Sequence, residues 1–314
     1  MNKKKLTLTI AGGSGVVGRH LIRHAQKQGW KIRVLTRKDI ENSNDVIYYK
    51  WNTVENDKFD NNDDEIVKAL EGSDFLINLA GTSIATGRLD KKMQNTVLMS
   101  RLNATNSLIE AYKKCKNPPK VWGQASAIGF YGDTKEEIIH ENKNSGNLFL
   151  SEVCVQWENS ARRILEINPS VKLIIARFGL VLAKDAPAWQ EMIKPVRMGF
   201  GGAIGSGNQW FSWIDAYDLA EAFFYLFRQK DSGGVYNFTS PEPIRQKELS
   251  KITAKFYNKP NFMKIPKFLI RMIMGKTADE LLLASCKALP QKLVHDGFKF
   301  TFKDIDHEIK HLLK

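Results

Sequence analysis

Short apolar segments alternate with helical stretches through the first 180 residues, and this order constrains the fold more than any other feature of the chain. Residues 6–11, 32–36 and 74–80 have the character of strands, and the last of these (DFLINLA) is apolar enough for burial on both faces. Strands separated by helices are typical of a parallel sheet that helices cover on both sides. Further strands are predicted at 46–51, 121–126 and 173–178, and helices at 16–28, 95–114 and 149–166. The sequence therefore predicts an α/β fold with a doubly wound, Rossmann-type parallel sheet.

The character of the sequence changes after Gly179. Residues 199–215 (GFGGAIGSGNQWFSWID) are rich in glycine, which predicts a long functional loop without regular secondary structure. Helices are predicted at 218–227 and 246–257, a strand at 235–239, and a mainly helical tail over 265–314. Because no repeat or linker separates this part from the first, we expect it to pack directly on the sheet.

The chain carries 47 lysines and arginines against 34 aspartates and glutamates, a net charge of +13. A basic protein invites comparison with nucleic-acid binders, but these cations are dispersed and form no basic and aromatic repeat. We therefore expect no nucleic-acid partner. A dispersed positive field favours anionic small molecules instead.

The three cysteines, Cys115, Cys154 and Cys286, are too few and too widely spaced for a disulfide framework, which indicates a reducing compartment. No apolar run approaches the roughly 18 to 20 residues that a membrane span needs, and the first residues lack a signal-peptide pattern. We therefore expect a cytoplasmic protein without a membrane partner.

A glycine-rich turn follows the first predicted strand and opens the first predicted helix, with glycines at Gly12, Gly15 and Gly18. A pyrophosphate can sit on the free N–H groups of a helix N-terminus, and residues without a Cβ let the backbone approach it closely. Three glycines also serve plain chain reversal, but here the strand, turn, helix and next strand stand in the order of a dinucleotide-binding unit.

The end of the second predicted strand carries Thr36, Arg37 and Lys38, at the place where an NAD-preferring site has an Asp or Glu. A guanidinium binds a 2′-phosphate bidentately, and a second cation beside it adds to the attraction. The alternative is a pair of solvated surface cations. Downstream of a dinucleotide loop, we expect NADP(H) in preference to NAD(H).

Two histidine pairs, His20 with His24 and His307 with His311, have the spacing that places both imidazoles on one helix face. Neither pair has a third ligand motif nearby, so both are predicted to be solvated helix faces, and no metal site is expected. Cys154 is interpreted as a packing residue within an apolar helix.

Several longer motifs carry a resemblance to a known group: GGSGVVG, INLAG, SAIGFYGD, FLSEVCVQWE, RFGLVLA, GSGNQWFSWI and the tail from ELLLAS to GFKF. The chain resembles the extended, atypical short-chain dehydrogenase/reductase superfamily, and within it the epimerase-like family of the SDR39U1 or YfcH type. The resemblance runs nearly end to end. It implies a Rossmann domain with NADP(H) at residues 1–180, and a smaller, mainly helical substrate lobe at residues 181–314 that interleaves with the sheet.

The resemblance also implies positions for the cofactor. It places the pyrophosphate at Gly12, Ser14, Gly15, Val16 and Val17, and the 2′-phosphate at Arg37 with its neighbours Thr36 and Lys38. The adenine would lie near Asn52, and the end of the fourth strand would meet the cofactor at Leu79, Ala80 and Gly81. The nicotinamide side would be bordered by Ser151, Arg177 and Gly179.

The catalytic residues depart from the superfamily pattern, in which a Tyr and a Lys four residues later act with a Ser or Thr. The helix that should carry the pair reads FLSEVC over residues 149–154, without a phenol or an ammonium. Ser126 and Tyr131 remain as candidate catalytic residues, with packing in a turn as the alternative for Tyr131.

The glycine-rich region offers candidate substrate residues. Gln209 could supply a hydrogen-bonding amide, and Trp210 and Trp213 could form apolar walls, with core packing as the alternative for Trp213.

The sequence thus favours an NADP(H)-dependent oxidoreductase acting on a small carbonyl or hydroxyl compound of unknown identity. A non-catalytic NADP(H)-binding sensor or regulator is the first alternative, because the Tyr and Lys pair is missing. A sugar-nucleotide epimerase or dehydratase is the second. Whether the chain is active without the pair is left open, as is a homodimer.

Overall fold

The computed structural model describes residues 5–51, 63–84 and 88–313 of the 314-residue chain. In these ranges the strands are β1 (Thr7–Ala11), β2 (Lys31–Thr36), β3 (Val46–Lys50), β4 (Phe75–Asn78), β5 (Val121–Ala127), β6 (Ile138–Ile139), β7 (Lys172–Phe178), β8 (Leu180–Leu182), β9 (Gly202–Ile204), β10 (Trp210–Phe211), β11 (Trp213–Asp215), β12 (Gly234–Phe238), β13 (Ile244–Arg245), β14 (Met263–Ile265) and β15 (Lys287–Ala288).

The helices are α1 (Val16–Lys27), α2 (Asp63–Leu70), α3 (Lys91–Lys114), α4 (Phe149–Arg162), α5 (Ile164–Ile167), α6 (Pro187–Arg197), α7 (Ala216–Arg228), α8 (Gln246–Phe256), α9 (Lys267–Met274), α10 (Lys276–Ala278), α11 (Gln291–His295) and α12 (Ile305–Leu313). A 3₁₀ turn at Ile128–Tyr131 follows β5, and a π turn at Asp279–Leu283 follows α10. Among the residues described, no helix has the length and hydropathy needed to cross a membrane.

Seven parallel strands form the central sheet in the order β12-β7-β5-β4-β1-β2-β3. The chain starts in the middle of the sheet at β1, winds to one edge and then crosses to the other, which confirms the predicted doubly wound Rossmann fold. Of the seven strands in this sheet, β12 comes last in the sequence and lies beyond residue 180. Both parts of the chain therefore contribute strands to the sheet.

Two apolar layers hold the sheet between helices. One layer joins β1, β2 and β7 to α1 and α7, and the other packs β4 and β5 against α2 and α3. All four residues of β4 (FLIN) are buried, as its apolar composition predicts for a strand covered on both faces.

The glycine-rich region is more ordered than the sequence predicts. Residues 199–215 contain β9, β10 and β11, which pair with β14, β13 and β8. The prediction of a loop without regular structure is therefore wrong. The partner strands lie between about 30 and 60 residues away in the sequence, and local composition does not reveal such pairing.

The C-terminal segment is built into the rest of the molecule. Strand β15 pairs in parallel with β6, and Phe298 and Phe300 are buried in the same core cluster as α7 and β12. The backbone N–H groups of Thr301 and Phe302 both donate to Asp218 of α7, over 2.9 and 2.8 Å.

The histidine pairs do not both lie on solvated faces. His24 is 6% exposed and packs on Phe224, with the ring centroids 4.5 Å apart. The helix face that carries it meets α7, so the prediction of a solvated face is wrong for His24. The exposed His307 and His311 both lie against Phe302, with ring centroids 5.5 and 4.8 Å away and the rings tilted.

Candidate cofactor-binding and active site

The glycine turn lies at the carboxyl edge of the sheet, between the ends of β1, β2 and β4. Gly12 adopts a φ of +81°, and a Cβ there would come within 3.0 Å of the backbone of Leu79 and Ala80. Gly18 lies against Gly13, where a Cβ would approach the Gly13 backbone to 2.5 Å. The turn therefore needs glycine for its conformation at one position and for close helix packing at the other.

The N-terminus of α1 is open to an anion. Its N-cap, Gly15, offers no side-chain cap, and the first turn holds no acidic residue. The backbone N–H groups of Val16 and Val17, like those of any first helical turn, therefore have no intrahelical hydrogen-bond acceptor. Arg19 fixes this turn from the side, donating to the carbonyl of Ser14 over 2.8 Å and forming an ion pair with Asp185 at 2.7 Å.

Beside the glycine turn, the end of β2 presents two cations. Arg37 and Lys38 are exposed, and no described residue pairs with either side chain. The nearest carboxylate in sequence, Asp39, is bound to Lys50 at 2.7 Å. Thr36 is buried and accepts a hydrogen bond from the backbone N–H of Lys38 over 3.1 Å. The predicted adenine neighbour, Asn52, lies outside the described residues.

The segment after β4 is held by a buried amide. Asn78 accepts from the N–H of Ala80 over 3.1 Å and donates to Gln124 over 3.1 Å. Arg101 of α3 lies against Gly81, where a Cβ would meet its side chain at 3.0 Å, and it donates to the carbonyl of Thr82. The path of residues 79–81 along the cleft is therefore fixed from two sides.

A buried polar network joins the ends of β5, β7 and β12 to α4. Its centre is Arg177, 3% exposed, whose Nε and Nη2 donate to the two carboxylate oxygens of Glu158 over 2.7 and 2.9 Å. Glu158 is fully buried and also accepts from Ser126 Oγ over 2.8 Å. The Tyr131 hydroxyl donates to Asn237 over 2.7 Å and accepts from Arg177 over 2.9 Å.

The two predicted catalytic hydroxyls are thus both engaged inside the protein. Ser126 is 2% exposed and Tyr131 is 3% exposed, and each donates its proton to a network partner. Burial raises the pKa of Tyr131 to about 12, against the opposing effect of Arg177, so the phenol stays protonated at neutral pH. In this arrangement neither hydroxyl is free to bond a substrate oxygen.

Helix α4 has no substitute for the missing Tyr and Lys pair. Cys154 is buried, and burial raises its thiol pKa to about 11, which leaves it protonated and unreactive. Ser151 is also buried and donates to the carbonyl of Gly129 over 2.8 Å. The N-terminus of α4 is capped by Glu280, which accepts from the N–H groups of Phe149 and Leu150.

The three predicted substrate residues lie in different surroundings. Trp213 is fully buried and its indole N–H donates to the carbonyl of Glu242. It therefore packs in the core, the alternative considered from the sequence. Trp210 is half-buried, with the Arg245 guanidinium 4.1 Å and the Lys287 ammonium 4.4 Å from its ring. Gln209 lines a cavity of about 140 Å³, but its amide nitrogen donates to the carbonyls of Ile204 and Leu282.

At the end of β7, Gly179 fits directly against the carbonyl of Ser212, where a Cβ would approach to 2.4 Å. Arg177 is buried beside it, so neither residue presents an exposed side chain at this strand end.

Sequence reasoning missed Glu158, Asn237, Arg19 and Asp185 as parts of this region. A signal existed for Glu158: residues 151, 154 and 158 lie three, four and seven positions apart, which places them on one face of α4. No local pattern links Asn237 to Tyr131, because 106 residues separate them.

Comparisons with known proteins agree with this geometry. The model of the NAD dependent epimerase/dehydratase family matches residues 8–153, and the model of a domain of unknown function, DUF1731, matches residues 265–312. The epimerase family protein YfhF of Bacillus subtilis (strain 168) is 32% identical over 311 residues, which cover 98% of each chain. The epimerase family protein SSP1921 of Staphylococcus saprophyticus is 33% identical over 97% of this chain and 98% of its own length.

Solved structures extend the comparison. The human epimerase family protein SDR39U1 (isoform 2), solved with NADPH, is 26% identical, with a TM-score of 0.85 over 98% of this chain and 99% of its own. The UDP-N-acetylglucosamine 4-epimerase of Bacillus cereus shares the fold, with a TM-score of 0.75 over 98% of this chain and 95% of its own at 16% identity. The chain therefore belongs to the epimerase-like family of the extended short-chain dehydrogenase/reductase superfamily, with its NAD(P)-binding Rossmann fold.

Proposed function

We propose that this protein binds NADP(H) and acts as an oxidoreductase on a small carbonyl or hydroxyl compound. The observation that carries the cofactor choice is the pair of exposed cations beside the glycine turn, Arg37 and Lys38, which have no ionic partner among the described residues. The carboxylate nearest in sequence, Asp39, is paired with Lys50 and so is not free for a ribose hydroxyl. NADPH in the structure of the human relative supports the same choice.

The residues of the cleft fit a dinucleotide. The uncapped first turn of α1 would hold the pyrophosphate through the N–H groups of Val16 and Val17, since a helix N-terminus favours a negative charge. Arg37 and Lys38 would neutralise the 2′-phosphate, and residues 79–81 would line the cofactor where β4 ends. When bound, NADP(H) supplies the hydride chemistry, and the protein supplies position and electrostatics.

The buried network favours a second candidate, a non-catalytic NADP(H)-binding sensor. The hydroxyls of Ser126 and Tyr131 are both saturated by Glu158, Asn237 and Arg177, so no described group of this set is free to transfer a proton. An epimerase or dehydratase also needs a proton-transferring side chain at this position, and no described residue favours a sugar nucleotide as substrate. We therefore rank that activity below both candidates.

The cofactor proposal is tested by calorimetric titration of purified, nucleotide-free protein with NADPH, NADP⁺, NADH and NAD⁺. We expect tighter binding of the two phosphorylated forms. Arg37→Glu should weaken NADPH binding about tenfold to a hundredfold, because a charge-assisted hydrogen bond contributes about 1.5–3 kcal/mol. Lys31→Glu makes the same change of charge at the other end of β2 and should leave the affinity nearly unchanged.

Equal affinity for NADH and NADPH, or equal losses in the two variants, would contradict the choice of NADP(H). Turnover is then tested separately by following NADPH absorbance with a panel of aldehydes, ketones and enones. Oxidation of NADPH by some member of the panel supports the oxidoreductase. Tight binding with no turnover on the whole panel favours the sensor.

A further inference from the structure

An exposed apolar surface is formed by the C-terminal part of the chain. Eight of the seventeen large apolar side chains that the described residues leave exposed belong to residues 198–200 and 262–273, so they are concentrated and not scattered. We call this set the apolar face: Met198, Phe200, Phe262, Met263, Phe268, Leu269, Met272 and Ile273.

The two segments of the apolar face lie side by side. Strand β9 follows the first segment directly and pairs with β14, and the N–H of Met263 donates to the carbonyl of Gly201 over 3.1 Å. Helix α9 continues from β14 after Pro266. Its Phe268, Met272 and Ile273 are 63%, 64% and 67% exposed, whereas only Ile270 of this helix is buried. The helix thus presents most of its apolar side chains outward, which is unusual for a surface helix.

Positive charge predominates around the apolar face. Residues 249–278 contain seven lysines and arginines and no aspartate or glutamate. Arg271 is paired with Asp279, but Lys259, Lys264, Lys267 and Lys276 are exposed and have no ionic partner among the described residues. Exposed phenylalanine, methionine and isoleucine flanked by free lysines are the chemistry of a segment that lies in the interface of an anionic membrane.

We propose that the apolar face docks this protein reversibly on the surface of a bilayer that contains anionic phospholipids. The apolar side chains enter the boundary between headgroups and acyl chains, while the lysines meet the phosphates. A second copy of the chain fits less well, because a symmetric contact would set like-charged surfaces against each other. The docking needs no spanning helix and is independent of the cofactor proposal.

The test is sedimentation of the full chain with phosphatidylcholine vesicles, and with vesicles of equimolar phosphatidylcholine and phosphatidylglycerol. We expect binding to the mixed vesicles alone, weakening as salt rises. Phe268→Ser with Met272→Ser should lower the vesicle partition coefficient at least about tenfold, because two apolar anchors are lost. Ile47→Ser with Val294→Ser removes two exposed apolar side chains elsewhere and should have no effect.

The electrostatic part has its own pair of variants. Lys259→Glu with Lys264→Glu should reduce binding at least about tenfold, since each lysine near an anionic surface contributes about fivefold. Lys31→Glu with Lys230→Glu changes the net charge equally and should reduce it much less. Unchanged circular dichroism and Tm confirm that the variants fold.

The proposal is overturned if the wild-type chain sediments with neither vesicle, or if the control pairs lose binding as much as the test pairs. It is also overturned if the face proves to join two copies. In that case the wild-type chain would be a dimer by sedimentation velocity, the variant Phe268→Ser with Met272→Ser would be a monomer, and neither would bind vesicles.

Discussion

Arg177 and Glu158 form a two-pronged ion pair inside the protein, with Nε–Oε1 and Nη2–Oε2 distances of 2.7 and 2.9 Å. The pair ties β7 to α4. Glu158→Gln leaves the buried guanidinium without a counter-charge, and we expect the free energy of unfolding to fall by about 3–5 kcal/mol. Urea denaturation measures the change, with the exposed Glu152→Gln of the same helix as control. A loss below about 1 kcal/mol would mean that the pair does not support the fold.

Tyr131→Phe separates a catalytic role of this phenol from a structural one. The substitution removes one partner each from Arg177 and Asn237, and we expect a loss of about 1–3 kcal/mol in stability with NADPH binding retained. Because burial raises the pKa of Tyr131 to about 12, ionisation of this phenol should contribute nothing to a pH profile of turnover between pH 5 and 9.

The control for this variant is Tyr48→Phe, at a half-buried tyrosine whose hydroxyl has no hydrogen-bond partner among the described residues. If a substrate is found, loss of turnover in Tyr131→Phe at unchanged stability would establish the catalytic role and contradict the structural one.

Gly12→Ala and Gly29→Ala both place a Cβ on a residue with a positive φ, but only the first also creates a steric clash. Both glycines have a positive φ, +81° and +70°, but a Cβ at Gly12 meets the backbone of β4's end, while a Cβ at Gly29 meets nothing within 4 Å. We expect a cost of about 1 kcal/mol for Gly29→Ala and about 2–4 kcal/mol for Gly12→Ala, together with weaker NADPH binding. Thermal unfolding with and without NADPH measures both. Equal costs would mean that the close approach between β1 and β4 has no energetic effect.

Arg19, which bridges Asp185 and the carbonyl of Ser14, should contribute more to the affinity for NADPH than to the stability of the fold. The ion pair is about 40% exposed at each end, so Arg19→Ala should lower the stability by at most about 1 kcal/mol. Loss of its hold on the glycine turn should weaken NADPH binding about threefold to tenfold. Arg23→Ala, on an exposed position of the same helix, is the control for calorimetry. An unchanged NADPH affinity would show that the turn holds its shape without this bridge.

Glu308 makes the protein less stable as pH rises. Both carboxylate oxygens are buried, and burial, together with the neighbouring carboxylates of Asp215 and Asp218, raises the pKa to about 9 from an ordinary value of 4.5. Between these values the folded state keeps a proton that the unfolded chain releases, so stability is highest below about pH 4.5 and falls toward pH 9. The slope from this group is about 1.4 kcal/mol per pH unit.

We therefore expect Glu308→Gln to be more stable than the wild type at pH 8 by a few kcal/mol, and close to it at pH 5. Asp218, with a pKa that burial raises to about 6, lowers the stability in the same direction, but over the lower range between about pH 4 and pH 6. The exposed Asp306→Asn of the same helix serves as control. Chemical denaturation at several pH values measures the free energy of unfolding of each protein. A wild-type value that does not change between pH 5 and pH 8 would contradict the prediction.

The parts of the fold that local patterns encode were predictable. The turn from Gly12 to Gly18 lies where its spacing indicates, because its strand and helix are contiguous in sequence. Asn78 and Arg177 likewise end their strands at the same edge of the sheet, as parallel strands must.

The parts that depend on distant partners were not predictable. Nothing near Tyr131 indicates that its proton goes to Asn237, or that Ser126 meets Glu158 from another element. The strands within residues 199–215 exist because β8, β13 and β14 pair with them, and glycine-rich composition alone points to a loop. Tertiary contacts overrode local propensity in both places.

The pairing of β15 with β6 joins parts of the chain that are 149 residues apart in register, Ile138 with Lys287, and Phe298 and Phe300 then complete a core that β1 begins. During synthesis the N-terminal strands leave the ribosome long before these partners exist. Phe223, Phe224 and Phe227 of α7 pack on earlier parts of the chain, but Tyr225 stays uncovered until Phe298 is made, so this part of the core closes late. A ribosome stalled before Phe298 would hold an aggregation-prone intermediate and not a smaller folded domain.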